Sequence, residues 1–372
     1  MSNSKKEIRV LHITQWYPTN EDPISGIFIK RHFQSLEPFC DQEIWHLEIG
    51  PNIIATDIHL EKDYKRFRIK PWFPRWRVIE YQYAFWIKRL LKKYHVLQEF
   101  THVNFYIAYP ALTHYNLFRQ LLPKNVWTIE AWSAYHFKFG LKQPNRRIAS
   151  VFLNNIGVIV VSKSLSNDII SYSGRKNNIH IIPNVVDINL FKPAIESRQD
   201  HFFMVALWKW PKQPLWPLQA LVELRQSGII KKLRIGGYGP LLENINQFVI
   251  QNKLEKQVTF LGKLSPEQVA DEMRVAAAFL IPTEYETFSV VVAEALCSGC
   301  PVVASHTGAI PELINQNNGI LVDDSWSEAL MKLEHKKFDH KIIAEDAAEL
   351  FSLQNVGKKF FELLQTSANI KK

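Results

Sequence analysis

Short apolar runs recur along the chain, each followed by a segment with helical spacing. Residues 7–14 (EIRVLHIT) predict a buried strand, WYPTNEDPISG a loop by its Pro, Asn, Asp and Gly, and Ile27 to Leu36 a helix. The runs Val103 to Ile107, Val126 to Ile129, Gly157 to Val161 and Ile179 to Ile182 repeat the strand theme. A second series starts at His201: strands His201 to Ala206, Lys232 to Ile235, Val258 to Phe260, Ala278 to Ile281 and Pro301 to Ala304. They alternate with helices Pro217 to Gln226, Leu242 to Asn252, Pro266 to Ala276 and Phe288 to Cys297. Strands alternating with helices imply parallel sheets in an α/β fold. The series restarts after a polar stretch, Pro193 to Asp200, which reads as the linker between two doubly wound domains, residues 1–195 and 196–350, with 351–372 as a C-terminal helix. Such domains place ligands at the carboxyl ends of their strands, in a cleft between them.

Composition narrows the class. With 47% hydrophobic and 22% charged residues, 372 residues suit two soluble globular domains. The start Met1 to Lys6 has no apolar segment after it, so no signal peptide is expected, and no run suits a membrane span. Cys40, Cys297 and Cys300 are too few for a disulfide framework, which implies a reducing, cytoplasmic setting. The net charge of +9 is one-sided: residues 1–195 hold 26 basic and 15 acidic residues, the remainder 19 and 21. The basic half suits an anionic membrane face, nucleic acid or phosphorylated substrates.

The candidate chemistry centres on Glu286 and Glu294. Glu286 follows the strand Ala278 to Ile281, and Glu294 lies in the next helix, whose N-terminus falls near Phe288, Ser289 and Val290. A helix N-terminus offers free amides and a favourable dipole to a phosphate. One segment could thus hold sugar hydroxyls on Glu286, phosphate on the amides and ribose hydroxyls on Glu294. Two glutamates eight apart are common by chance, so the pair alone decides nothing.

The neighbouring residues add to it. The segment 258–322 resembles the C-terminal signature of family 4 glycosyltransferases, the retaining GT-B enzymes of the "glycosyl transferases group 1" type. The matching pieces are Phe260-Leu261-Gly262, Glu286 to Ala295, Ser298 to Val303, and Gly308 to Glu312 followed by Asn318 to Val322. Gly236 to Leu241 (GGYGPL) is similar to the family's GxGP loop, and Ile182 to Asp187 (IPNVVD) to its interdomain element, with Val185 where glycine is usual. The resemblance implies a GT-B fold of two Rossmann-like domains, with the acceptor on the first and the donor on the second. It implies a last helix, near Val356 to Gln365, that crosses back to the first domain.

The implied donor site comprises Gly26, Lys209, Lys212, Gly237, Tyr238, Gly239, Glu286, Phe288, Ser289, Val290 and Glu294, with Glu286, Lys212, Glu130 and His136 as catalytic candidates. Two departures stand out. Leu207 or Trp208 occupies the place of the family's arginine before Lys212, with Lys209 as a nearby point charge. Ala131, in Glu130-Ala131-Trp132-Ser133, occupies the place of its histidine, with His136 close by.

The expected reaction is retaining transfer of a hexosyl group from a nucleotide diphosphate sugar, a UDP-sugar rather than GDP-mannose, to a glycan or lipid-linked acceptor in bacterial surface polysaccharide synthesis. Lys212 and the helix N-terminus would stabilise the departing diphosphate. No DxD triplet or ligand-spaced His/Asp group is present, so no metal or other cofactor is expected. The alternatives are a catalytically weak sugar-nucleotide-binding partner of another transferase and a GT-B nucleotide-sugar epimerase. Cys297-Ser-Gly-Cys300 has CxxC spacing but sits at a helix C-terminus, where small packed residues suit better than a redox dithiol. Residues 62–93 hold eleven basic residues, two acidic residues and nine aromatics. They fit a peripheral contact with an anionic membrane and equally an ordinary domain surface; nucleic acid is not expected.

Overall fold

The computed structural model describes residues 7–20, 22, 25–50, 52–53, 55–71, 79–131, 146–154, 156–194 and 198–369. They form two units, Met1–Val185 with Leu353–Lys372, and Val186–Ser352. The first unit contains β1 (Arg9–Thr14), α1 (Ile27–Leu36), β2 (Asp41–Ile49), β3 (Asp57–Leu60), β4 (Tyr64–Ile69), α2 (Ile79–Lys93), α3 (Val96–Glu99) and β5 (His102–Tyr106). It continues through β6 (Asn125–Glu130), α4 (Arg146–Val151), β7 (Gly157–Val160), α5 (Lys163–Ser173) and β8 (Ile179–Ile181). The second unit contains β9 (His201–Leu207), α6 (Leu215–Gln226), β10 (Lys232–Tyr238), α7 (Leu242–Gln251), β11 (Val258–Gly262), α8 (Pro266–Val275) and β12 (Ala278–Ile281). Then follow α9 (Val290–Cys297), β13 (Val302–Ser305), α10 (Ile310–Leu313), β14 (Gly319–Val322), α11 (Trp326–Glu334) and α12 (His340–Phe351). The last helix, α13 (Leu353–Asn369), returns to the first unit.

Among the described residues the first sheet has eight strands in the order β3-β4-β2-β1-β5-β6-β7-β8, parallel except for β3 against β4. The second has six, β11-β10-β9-β12-β13-β14, all parallel. Central strands buried on both faces read as unbroken apolar runs, which is why β7 and β12 are plain in the sequence. The strands β2, β3 and β4 are not: Asp41–Ile49 carries Gln42, Glu43, His46 and Glu48, and every residue of β3 is exposed.

The second unit corrects several expected bounds: α6 starts at Leu215 rather than Pro217, and β11 runs on past Phe260 to Gly262. β10 runs on past Ile235 to Tyr238. Helix α9 starts at Val290 rather than Phe288, because Ser289 has a left-handed backbone (φ 68°) that no helical turn accepts. Elsewhere the local signals hold. Ser265 and Gln268 form a capping box with Pro266 at the start of α8.

The division between units falls at Val185, not in the polar stretch Pro193 to Asp200. Composition hides it because the connecting IPNVVD segment is apolar and buried: Ile182 and Val185 join the core beneath α1, while Val186 bridges to Ser352. Helix α13 packs against α1 within the first unit. A Cβ on Gly357 would overlap the Ser35 carbonyl, so glycine lets the two backbones approach. Phe360 lies edge-on to His32 at 6.0 Å, and the Leu364 carbonyl is 3.1 Å from His102 Nε2.

Four histidines are buried in this unit. Burial holds His12 down to about 3 and His32, His46 and His102 to about 4, against 6.5 for an exposed imidazole. Each is neutral when folded and protonates on unfolding in mild acid. Their stabilisation is complete above pH 6.5 and drains away as pH falls towards 4, by about 1.4 kcal/mol per pH unit for each histidine. Thermal unfolding of the first unit is therefore expected to drop steeply between pH 6.5 and 4.5. A midpoint flat over that range would refute the assignment.

No helix among the described residues is long and apolar enough to cross a membrane. Cys297 and Cys300 are buried, and burial pushes their thiols up to about 12 and about 11, the reverse of a reactive dithiol.

Candidate functional site

The second sheet changes direction between β9 and β12: the chain proceeds from β9 outwards to β10 and β11, then returns to β12 and builds β13 and β14 on the other side. Loops leaving the carboxyl ends of such neighbouring strands diverge and open a crevice. Here the loops after β9 and β12 are tied across it. Lys212 bridges to Thr283, Gln213 N donates to the Pro282 carbonyl at 3.1 Å, and Glu284 N donates to the Pro211 carbonyl at 3.0 Å. Trp210 Nε1 and Gln213 Nε2 hold the Glu284 carboxylate at 2.7 and 2.6 Å.

This lattice brings Lys212 and Glu286 together as an ion pair, with side chains only 18% and 16% exposed. The backbone around Glu286 is fixed from β13. Thr307 Oγ1 donates to the Glu284 carbonyl at 2.7 Å, and Ala309 N donates to the Glu286 carbonyl at 2.9 Å. Gly308 fits beneath it at φ 53°, where a Cβ would overlap the Glu286 carbonyl oxygen. Gly308 was legible in the sequence as part of a motif, but its task as a support for Glu286 was not. Glu284, Gln213 and Thr307 left no sequence signal.

Beyond Glu286, Phe288 is buried and Ser289 introduces α9. Ser289 makes no side-chain cap, and its buried Oγ has no hydrogen-bond partner. An unpaired buried hydroxyl beside an uncapped helix N-terminus is a built invitation to a polar or anionic ligand. Glu294, half-buried on α9, lies four helical steps from Val290, about 6 Å along the axis. That is shorter than the whole interval read as helix.

The glycine turn lies on the other side of β9. Gly237 (φ 105°) and Gly239 (φ 141°) press against the end of that strand, where a Cβ on either would overlap the carbonyl oxygen of Ala206 or Trp208. Trp208 N donates to the Tyr238 carbonyl at 2.7 Å and its indole to the Gly236 carbonyl at 2.8 Å. Tyr238 is exposed, with Lys263 Nζ 5.2 Å from its ring centroid. Lys209 is exposed and accepts the Lys212 amide through its carbonyl.

Gly26 and Glu130 belong to the first unit. Gly26 is the left-handed N-cap of α1, and a Cβ there would meet the Trp16 carbonyl oxygen at 2.7 Å. Glu130 is fully buried at the end of β6. Its Oε1 accepts from Ala108 N at 2.8 Å and from Thr128 Oγ1 at 2.5 Å, which fixes the turn after β5. That engagement makes Glu130 a positioning residue in this structure. His136 lies outside the described residues. Among those residues no group of three or more His, Cys, Asp or Glu is placed to hold a metal ion.

Comparison with known proteins bears on the second unit most directly. Residues 198–335 match the family model described as glycosyl transferases group 1. The protein named "Putative glycosyltransferase EpsF" of Bacillus subtilis (strain 168) is 28% identical over 168 residues, covering 42% of this chain and 43% of its own. The chain spans about half the length of the curated relatives it matches. Among solved structures, sucrose-phosphate synthase from Thermosynechococcus elongatus superposes with a TM-score of 0.73 at 16% identity, covering 97% of this chain and 99% of its own. HepE from Anabaena in complex with UDP also gives a TM-score of 0.73 at 16% identity, covering 96% and 100%. The chain has the GT-B fold, and its residues 198–335 match the glycosyl transferases group 1 family.

Proposed function

We propose that the protein is a retaining glycosyltransferase that moves a hexosyl group from a UDP-sugar to a glycan or lipid-linked acceptor in bacterial surface polysaccharide synthesis. One observation carries the reading: the Lys212–Glu286 pair lies beside the uncapped N-terminus of α9 and the unpaired Ser289 hydroxyl, on the strand ends where the sheet changes direction. Lys212 and the first amides of α9 receive the departing diphosphate, Glu286 holds sugar hydroxyls and Glu294 those of the ribose. Charge on the leaving group is met by Lys212 and the helix dipole, so the reaction proceeds without metal. HepE, which shares the fold, has been solved with UDP and with UDP-glucose, which supports the choice of donor.

The test is a panel of nucleotide sugars in a thermal-shift assay, followed by turnover with the best binder, with and without EDTA. A UDP-sugar is expected to stabilise most, and turnover to survive chelation. Ser289→Ala should leave the unliganded protein no less stable and weaken UDP binding about fivefold, since it removes a hydroxyl that only the ligand satisfies. Stabilisation by no member of the panel would sink the proposal.

A second reading has its own support. Trp208 is buried with its indole committed to Gly236, so the place of the family's arginine carries no cation except exposed Lys209. Donor binding with neither transfer nor hydrolysis would favour a catalytically weak partner of another transferase.

The acceptor reading includes a membrane contact. Helix α2 exposes Tyr81 and Phe85 in line with Lys88, Arg89, Lys92 and Lys93, aromatic and basic groups that suit an anionic bilayer surface. Reversing charge at Lys88, Lys92 and Lys93 should release the protein from phosphatidylglycerol-rich vesicles at low salt. Equal sedimentation of wild type and variant would refute the contact.

A further inference from the structure

The second unit has a cavity of about 600 Å³ at the same edge of its sheet. It lies at the carboxyl ends of β12, β13 and β14, a position where open α/β sheets bind ligands. Its lining includes Thr283 and Glu284 but not Lys212, Glu286 or Ser289, so it is distinct from the site above. One wall is a single stripe of α6. Trp216, Gln219, Ala220 and Glu223 recur at helical spacing, and the small Ala220 leaves room between the larger side chains.

The chemistry of the walls is selective. Trp216 is 40% exposed and offers a flat apolar surface. Around it stand the carboxylates of Glu223, Glu284, Asp323 and Asp324, with His306 bonded to Asp323 at 2.5 Å. The hydroxyls of the floor are already engaged: Ser305 Oγ accepts the Thr283 amide, and Thr307 Oγ1 donates to the Glu284 carbonyl. The strongest acceptors on these walls are carboxylate oxygens, which reward hydroxyl or ammonium donors and repel anions. Trp210 and Gln213 hold the Glu284 carboxylate still. These carboxylates do not converge as a metal-binding group. An exposed indole in a cavity lined by carboxylates, with Glu284 held in place, matches a pyranose ring, whose C–H face covers the indole while neighbouring hydroxyls bond the acids.

We infer that this cavity is a second carbohydrate-binding site, which takes an uncharged saccharide and is independent of the nucleotide-sugar site. Its role alongside sugar transfer rests on the proposed function; the binding itself does not.

Saturation-transfer NMR on the full chain tests it. UDP binding is recorded first; the protein is then held with excess UDP while maltose, cellobiose, lactose and glucose 6-phosphate are titrated. Saturable transfer is expected from at least one neutral disaccharide and none from the phosphorylated sugar. Trp216→Ala and Glu223→Gln should each weaken that binding about tenfold with UDP affinity unchanged. Glu223 is exposed, so its variant keeps the test open if Trp216→Ala fails to fold. Absence of transfer from every neutral saccharide, displacement of the saccharide by UDP, or unchanged binding in both variants would overturn the inference. Failure of UDP to bind at all counts against the proposed function instead and leaves the saccharide titration readable.

Discussion

Lys212→Met is expected to lower the rate of sugar transfer by about a hundredfold to a thousandfold while weakening UDP binding about tenfold. In the unliganded protein Lys212 neutralises Glu286, and both side chains are mostly shielded from water. In the transition state the diphosphate gains charge as the glycosyl bond breaks, and Lys212 is the half-buried cation beside the N-terminus of α9. An ammonium in that place acts more strongly on the transition state than on the bound donor, so the loss falls on kcat more than on affinity.

The ion pair also has a structural share, and the two can be separated. Losing either partner leaves a shielded charge alone and should cost about 1–3 kcal/mol of stability, less than for a fully buried pair. The Lys212→Met/Glu286→Gln double variant should recover part of that stability. If the pair serves only to tie the loops, the double variant recovers transfer as well. If Lys212 stabilises the leaving group, steady-state kinetics will show the double variant as slow as Lys212→Met. Recovered kcat would remove Lys212 from the mechanism.

The second large effect concerns glycine. Gly237→Ala is expected to destabilise the second unit by about 3 kcal/mol or more, and Gly308→Ala to abolish nucleotide binding with a smaller loss of stability. At Gly237 two costs coincide. Its φ of 105° lies where a side chain is strained, and the new Cβ would overlap the Ala206 carbonyl oxygen in the neighbouring strand. Relief requires β9 and β10 to part where the Trp208 amide reaches the Tyr238 carbonyl. At Gly308 the φ of 53° lies in the left-handed region, which costs alanine about 1–2 kcal/mol, and the Cβ would displace the Glu286 carbonyl and the carboxylate with it. Gly228 is the control. It has φ 81° with open space around it, so Gly228→Ala should cost only about 1 kcal/mol. Urea unfolding and UDP titration of the three variants measure this, and equal losses at Gly228 and Gly237 would contradict the steric account.

The sequence was legible where local chemistry and tertiary environment agree. Central strands such as Ala278–Ile281, buried on both faces, appear as unbroken apolar runs, and α1 shows its bounds by helical spacing. Glu286, Lys212 and the glycine turn could be named because the segments that hold them resemble the motifs of a known family, and the structure places Lys212 against Glu286. The edge strand β3, its neighbour β4 and the polar β2 were not legible, because polar and exposed positions break the apolar pattern that marks a buried strand. The bound of α9 was misread because only the fold sets Ser289 in its left-handed conformation.

By itself the sequence determined the alternation of strands and helices, the parallel sheets and the identity of the residues near Glu286, since each depends on short-range pattern. Only tertiary structure decided three things. It put the division at Val185 inside a buried apolar segment. It committed Glu130 to the Ala108 amide, and it opened a cavity beside Trp216. Each depends on residues far apart in the chain meeting in space, and such meetings follow from the order of strands in a sheet, which no local pattern encodes.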